Sequence, residues 1–300
     1  MRKILLLLTF VSSFLIGGNS DRLQVNLNTD KEGNTNPDLF IPVYWSDDIF
    51  SGIGYYSSNS YEVNQLSSIS NSRIGTVVDE KRLKLNLLTY EFKSNSLTYA
   101  IGAEIEKISI NKQEFGYFEF NSDIVATENS IEIEILKPNI NADISYKNDD
   151  LFVRVGITAS PLSTLDVKQT TIFKPLVTST GTSDSSTSQS IAYNISLKAG
   201  YKISPLVSLM AQSNYSILPM KYDLAVLNNT ASDFTLQEIE VQESTFSNMI
   251  KLAFNLDSFS SELSPSIGYG TQNISSKDIS NDDTTTFKNN LWMIGFEGRF

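Results

Sequence analysis

Apolar and polar residues alternate with a period of two along much of the chain, and no helical period persists. In segment 191–203 every second residue is apolar or aromatic, and the residues between them are polar or small. Segments 97–105 and 151–159 repeat the pattern. This alternation is typical of β-strands whose two faces lie in different surroundings. We therefore predict an all-β chain.

The alternating segments predict ten strands, joined by connections of two kinds. Four connections are tight turns, centred near residues 95, 148, 204 and 257 and rich in Ser, Asn, Asp or Pro. The other connections are long and polar, at 60–81, 111–130, 174–188, 222–245 and 275–286. The strands are predicted at about 49–59, 82–93, 97–110, 131–146, 151–173, 189–203, 206–221, 246–256, 259–274 and 287–300.

Short and long connections alternate strictly, which is typical of an up-and-down barrel. Transmembrane barrels of outer membranes have short periplasmic turns, long extracellular loops and an even number of strands. We predict an antiparallel transmembrane β-barrel of about ten strands, or twelve if a further hairpin lies within 111–130. A secreted β-sandwich is the alternative. Small residues opposite Ile and Tyr, as in Gly52 and Gly54 beside Ile53 and Tyr55, favour a crowded barrel interior with lipid outside.

The first 38 residues divide into two parts before the predicted barrel at 39–300. Residues 1–20 have a basic start, an apolar run and then small residues, which predicts a cleaved signal peptide and export. Residues 21–38 are rich in Asn, Asp and Lys, so we predict a periplasmic tail, with entry into the lumen as a plug left open. Segment 39–45 either begins the first strand early or forms an interfacial anchor.

The last twelve residues resemble the C-terminal strand of bacterial outer-membrane β-barrels, which ends in Phe and is recognised by the barrel-assembly machinery. The residues that carry this resemblance are Trp292, Ile294, Gly295, Phe296 and Phe300, whereas Met293 and Gly298 depart from it. The resemblance implies a Gram-negative outer membrane as the location. It also implies outer-membrane lipid and the assembly machinery as partners.

Charged residues opposite the lipid faces are expected to line the lumen. They are Glu104, Glu106, Asp143, Glu262 and Glu297, together with Arg154, Lys198, Lys202, Lys251 and Arg299. The two signs are balanced, and a narrow barrel leaves little room for water. Because unpaired buried charges are costly, we predict a structural ion-pair network. A small water-filled pore is the alternative.

Composition excludes several functions. The net charge of −11 argues against nucleic-acid binding, because nucleic-acid-binding proteins usually present a basic face. The chain has no Cys and no His. The outer-membrane phospholipase, palmitoyltransferase, deacylase and omptin proteases all use a histidine, so we predict no enzyme, no metal and no cofactor. A His-independent enzyme remains a disfavoured alternative.

Two functions remain from the sequence. The first is a small porin-like channel or structural barrel, with small solutes as ligands. The second is an opacity-type surface protein that binds host or cell-surface ligands through its loops. The aromatic segment 114–120 is the candidate binding patch, unless its strands extend beyond the bilayer and pack on each other.

Overall fold

The computed structural model describes residues 23–29, 33–65, 73–120, 123–174, 179–189, 191–227, 234–254, 262–279 and 283–299. Within these residues no helix is long and apolar enough to cross a membrane. The strands are β1 Leu23–Thr29, β2 Thr35–Ser46, β3 Ile49–Gln65, β4 Arg73–Ser94, β5 Leu97–Phe120, β6 Asp123–Lys147, β7 Leu151–Ser160, β8 Ser163–Lys174, β9 Ser179–Gln189, β10 Ala192–Ser204, β11 Val207–Leu227, β12 Phe234–Phe254, β13 Glu262–Asp278 and β14 Asp283–Arg299.

The strands form one antiparallel sheet that closes on itself. Neighbours in sequence pair from β1 to β7 and from β10 to β14, and β7 pairs with β10. The first and last strands complete the ring, from Leu23 opposite Gly298 to Thr29 opposite Trp292. The result is a closed barrel with twelve strands around its circumference. Closure removes the exposed edges that an open sheet presents.

The two remaining strands, β8 and β9, continue β7 and β10 beyond an interruption. Ser160 lies opposite Ala192, and Ser163 lies opposite Gln189, so the register of the pair is the same on both sides. Pro161 lies at the interruption and has no N–H to donate to the ladder. The pairing of β6 shifts by one residue there, as at a β-bulge.

The prediction of about ten strands was two short, and the additional hairpin is not within 111–130. Residues 111–120 and 123–130 instead extend β5 and β6. The two missing strands are β1 and β2, so residues 23–29 and 35–38 belong to the barrel wall and form neither a tail nor a plug. These strands are rich in Asn and Asp, which strands usually avoid, and their polar side chains point inwards.

Most residues of the predicted long loops are also strand. Strands β3 to β6, β11 and β12 run on through much of 60–81, 111–130 and 222–245, and the Ser/Thr-rich run becomes β9. Backbone pairing does not require strongly β-favouring side chains, so polar composition alone gave the wrong prediction. The start of β1, the end of β14 and the described short turns lie together at one end of the barrel, called the turn end below, and the opposite end is called the loop end.

Strand β6 reverses its apolar face part-way along its length. Towards the turn end, Leu136, Ile140 and Ile144 point outwards, and Ile140 is 55% exposed. Towards the loop end, Ile133 and Ile135 point inwards and are almost fully buried. Strand β5 reverses at the same level, because Lys107 lies opposite Leu136 and Ile108 opposite Ile135. The outer surface therefore changes from apolar to charged at this level.

The outward apolar band has the dimensions of a membrane. On β6 it spans roughly 9–11 residues, the length that a tilted transmembrane strand needs. Exposed aromatic side chains border the band at both ends, as in transmembrane barrels. Near the turn end they are Trp45, Phe92, Tyr99, Tyr146 and Tyr201, and towards the loop end Tyr55, Phe246, Tyr269 and Trp292.

Beyond the band, inward apolar side chains form the main core. We call this set the apolar cap: Val78, Ile108, Ile110, Ile131, Ile133, Ile135, Leu165, Val167, Met220, Tyr222, Ile239 and Val241. They come from β4, β5, β6, β8, β11 and β12 and are 0–5% exposed. The same strands present charged residues outwards, such as the exposed pair Lys221 and Glu238. On the loop-end side of the band, the barrel therefore has an apolar interior and a charged outer surface, as a water-soluble protein does.

Candidate functional site in the barrel lumen

Charged side chains inside the lumen lie together on three neighbouring strands, next to the apolar cap. Alternation places Glu80, Arg82 and Lys84 on the inner face of β4 and Glu104 and Glu106 on that of β5. In the register, Lys84 lies opposite Glu106 on one side, and Lys137 of β6 lies opposite Glu106 on the other. We call Glu80, Arg82, Lys84, Glu104, Glu106 and Lys137 the lumen ion-pair cluster.

Arg82 and Glu106 link the members of this cluster. The Arg82 guanidinium donates to Glu80 through Nε, and its Nη1 lies 3.7 Å from Glu106 Oε1. Lys137 Nζ lies 2.7 Å from Glu106 Oε2. The guanidinium carbon also lies 5.8 Å from the centre of the Tyr56 ring, within cation–π range. Each charge thus has an opposite charge beside it.

Two further ion pairs extend the charged layer. Lys84 Nζ lies 2.7 Å from Glu104 Oε2, and the Asn139 amide donates to the other oxygen of Glu104 at 2.9 Å. Nearer the turn end, Arg154 Nη2 lies 3.0 Å from Asp143 Oδ2. Opposite charges in a confined interior offset the cost of removing each from water.

The lumen residues predicted from the sequence fall into three groups. Buried and inward-facing are Glu104, Glu106, Asp143, Lys198 and Lys251, with Arg154 half-buried against Asp143. Lys202 is different, because it is exposed near the turn end. The backbones of Glu262, Glu297 and Arg299 lie on β13 and β14, with Glu262 opposite Arg299, but their side chains lie outside the described part.

Sequence reasoning missed five charges of this layer: the buried Glu80, Arg82, Lys84 and Glu243, and the partly buried Lys137. The alternation of Arg82, Lys84 and Asn86 with three leucines was a usable signal on β4. Lys137 and Glu243 lie close to the level at which the strands reverse their apolar face. A prediction that assumes one apolar face per strand assigns such residues to loops or to the outside.

A cavity of about 90 Å³ is lined by members of both the lumen ion-pair cluster and the apolar cap. Its polar wall includes Arg82, Lys84 and Glu106, and its apolar wall includes Ile108 and Met220. Glu243 of β12 closes it from the opposite side of the lumen. The cavity is therefore amphipathic, because charged and hydrocarbon side chains both line it.

The closing strand β14 follows the sequence prediction where it is described. Trp292, Ile294 and Phe296 point outwards from the apolar band, while Met293 is buried in the lumen beside Met249 and Leu291. Gly295 leaves space for the Asn26 side chain, since a Cβ there would meet that side chain and lie 2.9 Å from the Val25 carbonyl. The signal segment 1–20 and Phe300 lie outside the described residues.

Comparison with known proteins supports the architecture. No family model and no curated protein matches the sequence. Among solved structures, the translocator domain of the autotransporter NalP from Neisseria meningitidis matches 93% of this chain and 87% of its own, with 10% identity and a TM-score of 0.53. The chain has the fold of an outer-membrane β-barrel. The predicted fold class is thus confirmed, with twelve strands instead of ten.

Two other outer-membrane proteins match over most of their length with lower scores. The outer membrane protease OmpT from Escherichia coli covers 92% of this chain and 91% of its own, at 10% identity and a TM-score of 0.47. The NanC porin covers 93% and 100%, at 10% identity and a TM-score of 0.41. Within the described residues, no group of three or more His, Cys, Asp or Glu could hold a metal ion.

Proposed function

We propose that the protein is a narrow outer-membrane channel that is closed at rest and takes small solutes into a charged lumen. The observation that carries this proposal is the lumen cavity, which is lined by the ion-pair cluster and by the buried side chains of the apolar cap. A wide porin needs an aqueous passage, whereas the cap side chains are buried against one another. The polar cavity below them is a place where a solute can bind.

The same proposal includes export and location. The predicted signal peptide at 1–20 would bring the chain to the periplasm, and the C-terminal strand would be read by the assembly machinery. The exposed apolar band then requires a lipid surrounding, because a continuous apolar belt of this size is not stable against water. The absence of His and Cys from the sequence favours a non-catalytic role.

Conductance in planar bilayers tests the closed channel. The wild-type barrel should show no large, steady conductance steps, because the apolar cap blocks the lumen. Replacing Met220 and Tyr222 together by alanine should produce stepwise conductance, since both side chains belong to the cap. The control is Leu209→Ala, an outward position on the same strand, which should stay silent.

Either of two results would contradict the proposal. Large steps from the wild type would show an open porin. Silence from the double variant would show a structural barrel without a channel. All variants should first show the gel shift between boiled and unboiled samples that a folded barrel gives, so that silence is not mistaken for misfolding.

A second function is favoured by the length of the central strands. Strands β5 and β6 have 24 and 25 residues, more than twice the roughly 9–11 that cross a membrane. Towards the loop end their outer surface carries exposed charges. An example is the ion pair in which Lys107 Nζ lies 3.0 Å from Glu134 Oε2. We propose this protruding charged wall as the surface for any extracellular partner. This second role would be supported if the protein binds to cells and loses that binding, while keeping its fold, when the charges of Lys107 and Glu134 are reversed.

A further inference from the structure

Glu243 is the one carboxylate around the cavity that the described residues leave without a counter-charge. It is 4% exposed, lines the cavity, and its Oε2 atom is buried without a hydrogen-bond partner among the described residues. No ion pair is formed to it by the described cations. This contrasts with Glu80, Glu104 and Glu106, each of which contacts Arg82, Lys84 or Lys137.

The charge balance around the cavity shows what is missing. The lumen ion-pair cluster contains three cations and three carboxylates, so it is neutral by itself. Glu243 adds a fourth carboxylate from the opposite wall. Among the charges that act on it, Glu80 repels it, and Arg82 and Lys137 attract it while paired elsewhere. The site therefore contains one carboxyl group more than it has cations, and burial raises the pKa of Glu243 well above its usual range.

A buried carboxylate without a partner is costly, so a ligand that brings a positive charge gains affinity by pairing with it. The hydrocarbon part of the cavity lining restricts the ligand further. Ile108, Ile135, Leu218 and Met220 present hydrocarbon surface, which a bare metal ion or a highly polar cation would not use. The volume of about 90 Å³ has room for only a few non-hydrogen atoms.

We propose that Glu243 binds the ammonium group of a small organic cation whose short hydrocarbon chain packs against Ile108, Ile135 and Met220. This inference rests on the proposed function, since it names the class of solute that enters the lumen. The ammonium donates to Glu243, and the hydrocarbon replaces water beneath the apolar cap. Organic anions are disfavoured because Arg82, Lys84 and Lys137 already have carboxylate partners.

Calorimetric titration of the full chain in detergent tests this binding, with n-butylammonium as the probe. The neutral 1-butanol and the anion butyrate have similar chains and serve as matched ligands, and empty micelles give the background. We expect saturable binding of n-butylammonium and no binding of butyrate. Glu243→Gln, which keeps the shape and removes the charge, should weaken n-butylammonium binding at least tenfold.

Glu238→Gln is the control variant, because Glu238 is an exposed carboxylate on the same strand. It should bind n-butylammonium like the wild type. The inference is overturned if the wild type does not bind the probe, if Glu243→Gln binds it equally, or if butyrate binds as well as n-butylammonium. The result of the bilayer experiment does not depend on the result of this titration, so the two proposals can be refuted separately. An open porin that still binds n-butylammonium through Glu243 would refute the closed channel and keep the site.

Discussion

Replacing Arg82 with methionine should lower the free energy of unfolding by about 3–5 kcal/mol, the usual cost of removing one partner from a buried ion pair. Arg82 is buried between Glu80 and Glu106, so its loss leaves two carboxylates close together without the guanidinium. Methionine keeps most of the apolar stem, so the effect comes mainly from the charge. Urea unfolding of the barrel in detergent micelles, followed by tryptophan fluorescence, gives the value.

The matched control for Arg82 is Lys107→Met. Lys107 also forms an ion pair with a glutamate, but both side chains are about half exposed on the outer surface. An exposed pair contributes about 0–1 kcal/mol because water and salt screen it. Equal effects from the two substitutions would mean that the lumen is wet at Arg82 and that the ion-pair cluster adds little stability.

Truncating Ile133 to alanine should destabilise the barrel by about 2–5 kcal/mol, the range for removing a large aliphatic side chain from a packed core. Ile133 is only 1% exposed and lies within the apolar cap. Its loss removes contacts and leaves a cavity between the walls. The same urea titration measures the loss.

Ile140→Ala is the control on the same strand with the same change of side chain. Ile140 points outwards in the apolar band, where lipid or detergent fills the space that the lost methyl groups leave. Its substitution should cost well under half as much as that of Ile133. The account would be wrong about the two faces of β6 if Ile140→Ala proved the more damaging change.

The period-two pattern was enough to predict the barrel, because ten of its twelve strands have an apolar face that contrasts with a polar one. It was not enough for β1 and β2. There the inward residues Asn26, Asn28 and Asp38 are polar, and β1 has only 7 residues, so the segment has the composition of a tail. Strand β1 is held by pairing with β14, which is distant in sequence. Strand β2 is held by pairing with β3, its neighbour in sequence.

The candidate site was predicted only in part for a related reason. Glu104 and Asp143 lie inside segments with a constant phase and Glu106 lies at the end of one, so the inward orientation of all three followed from alternation. Glu243 lies in a predicted loop, beyond the outward aromatic Phe246. The residues that it faces across the lumen are brought there by barrel closure, which alternation along a single strand does not encode.

The most direct test of the account is an accessibility scan of β6 with spin labels in lipid vesicles. The chain contains no cysteine, so each introduced cysteine carries the only label. Positions 134, 135, 140 and 141 cover both faces on either side of the reversal. Oxygen, which concentrates in lipid, and a water-soluble nickel complex serve as the two relaxation agents.

We expect high oxygen and low nickel accessibility at position 140, the reverse at position 134, and low accessibility to both agents at 135 and 141. This result would place the outer surface of β6 in lipid on the turn-end side of the reversal and in water on the loop-end side. It would also show that neither lipid nor bulk water reaches the inner surface. High nickel accessibility at both 135 and 141 would contradict the account, because it would show a water-filled lumen through the apolar cap and the charged layer alike.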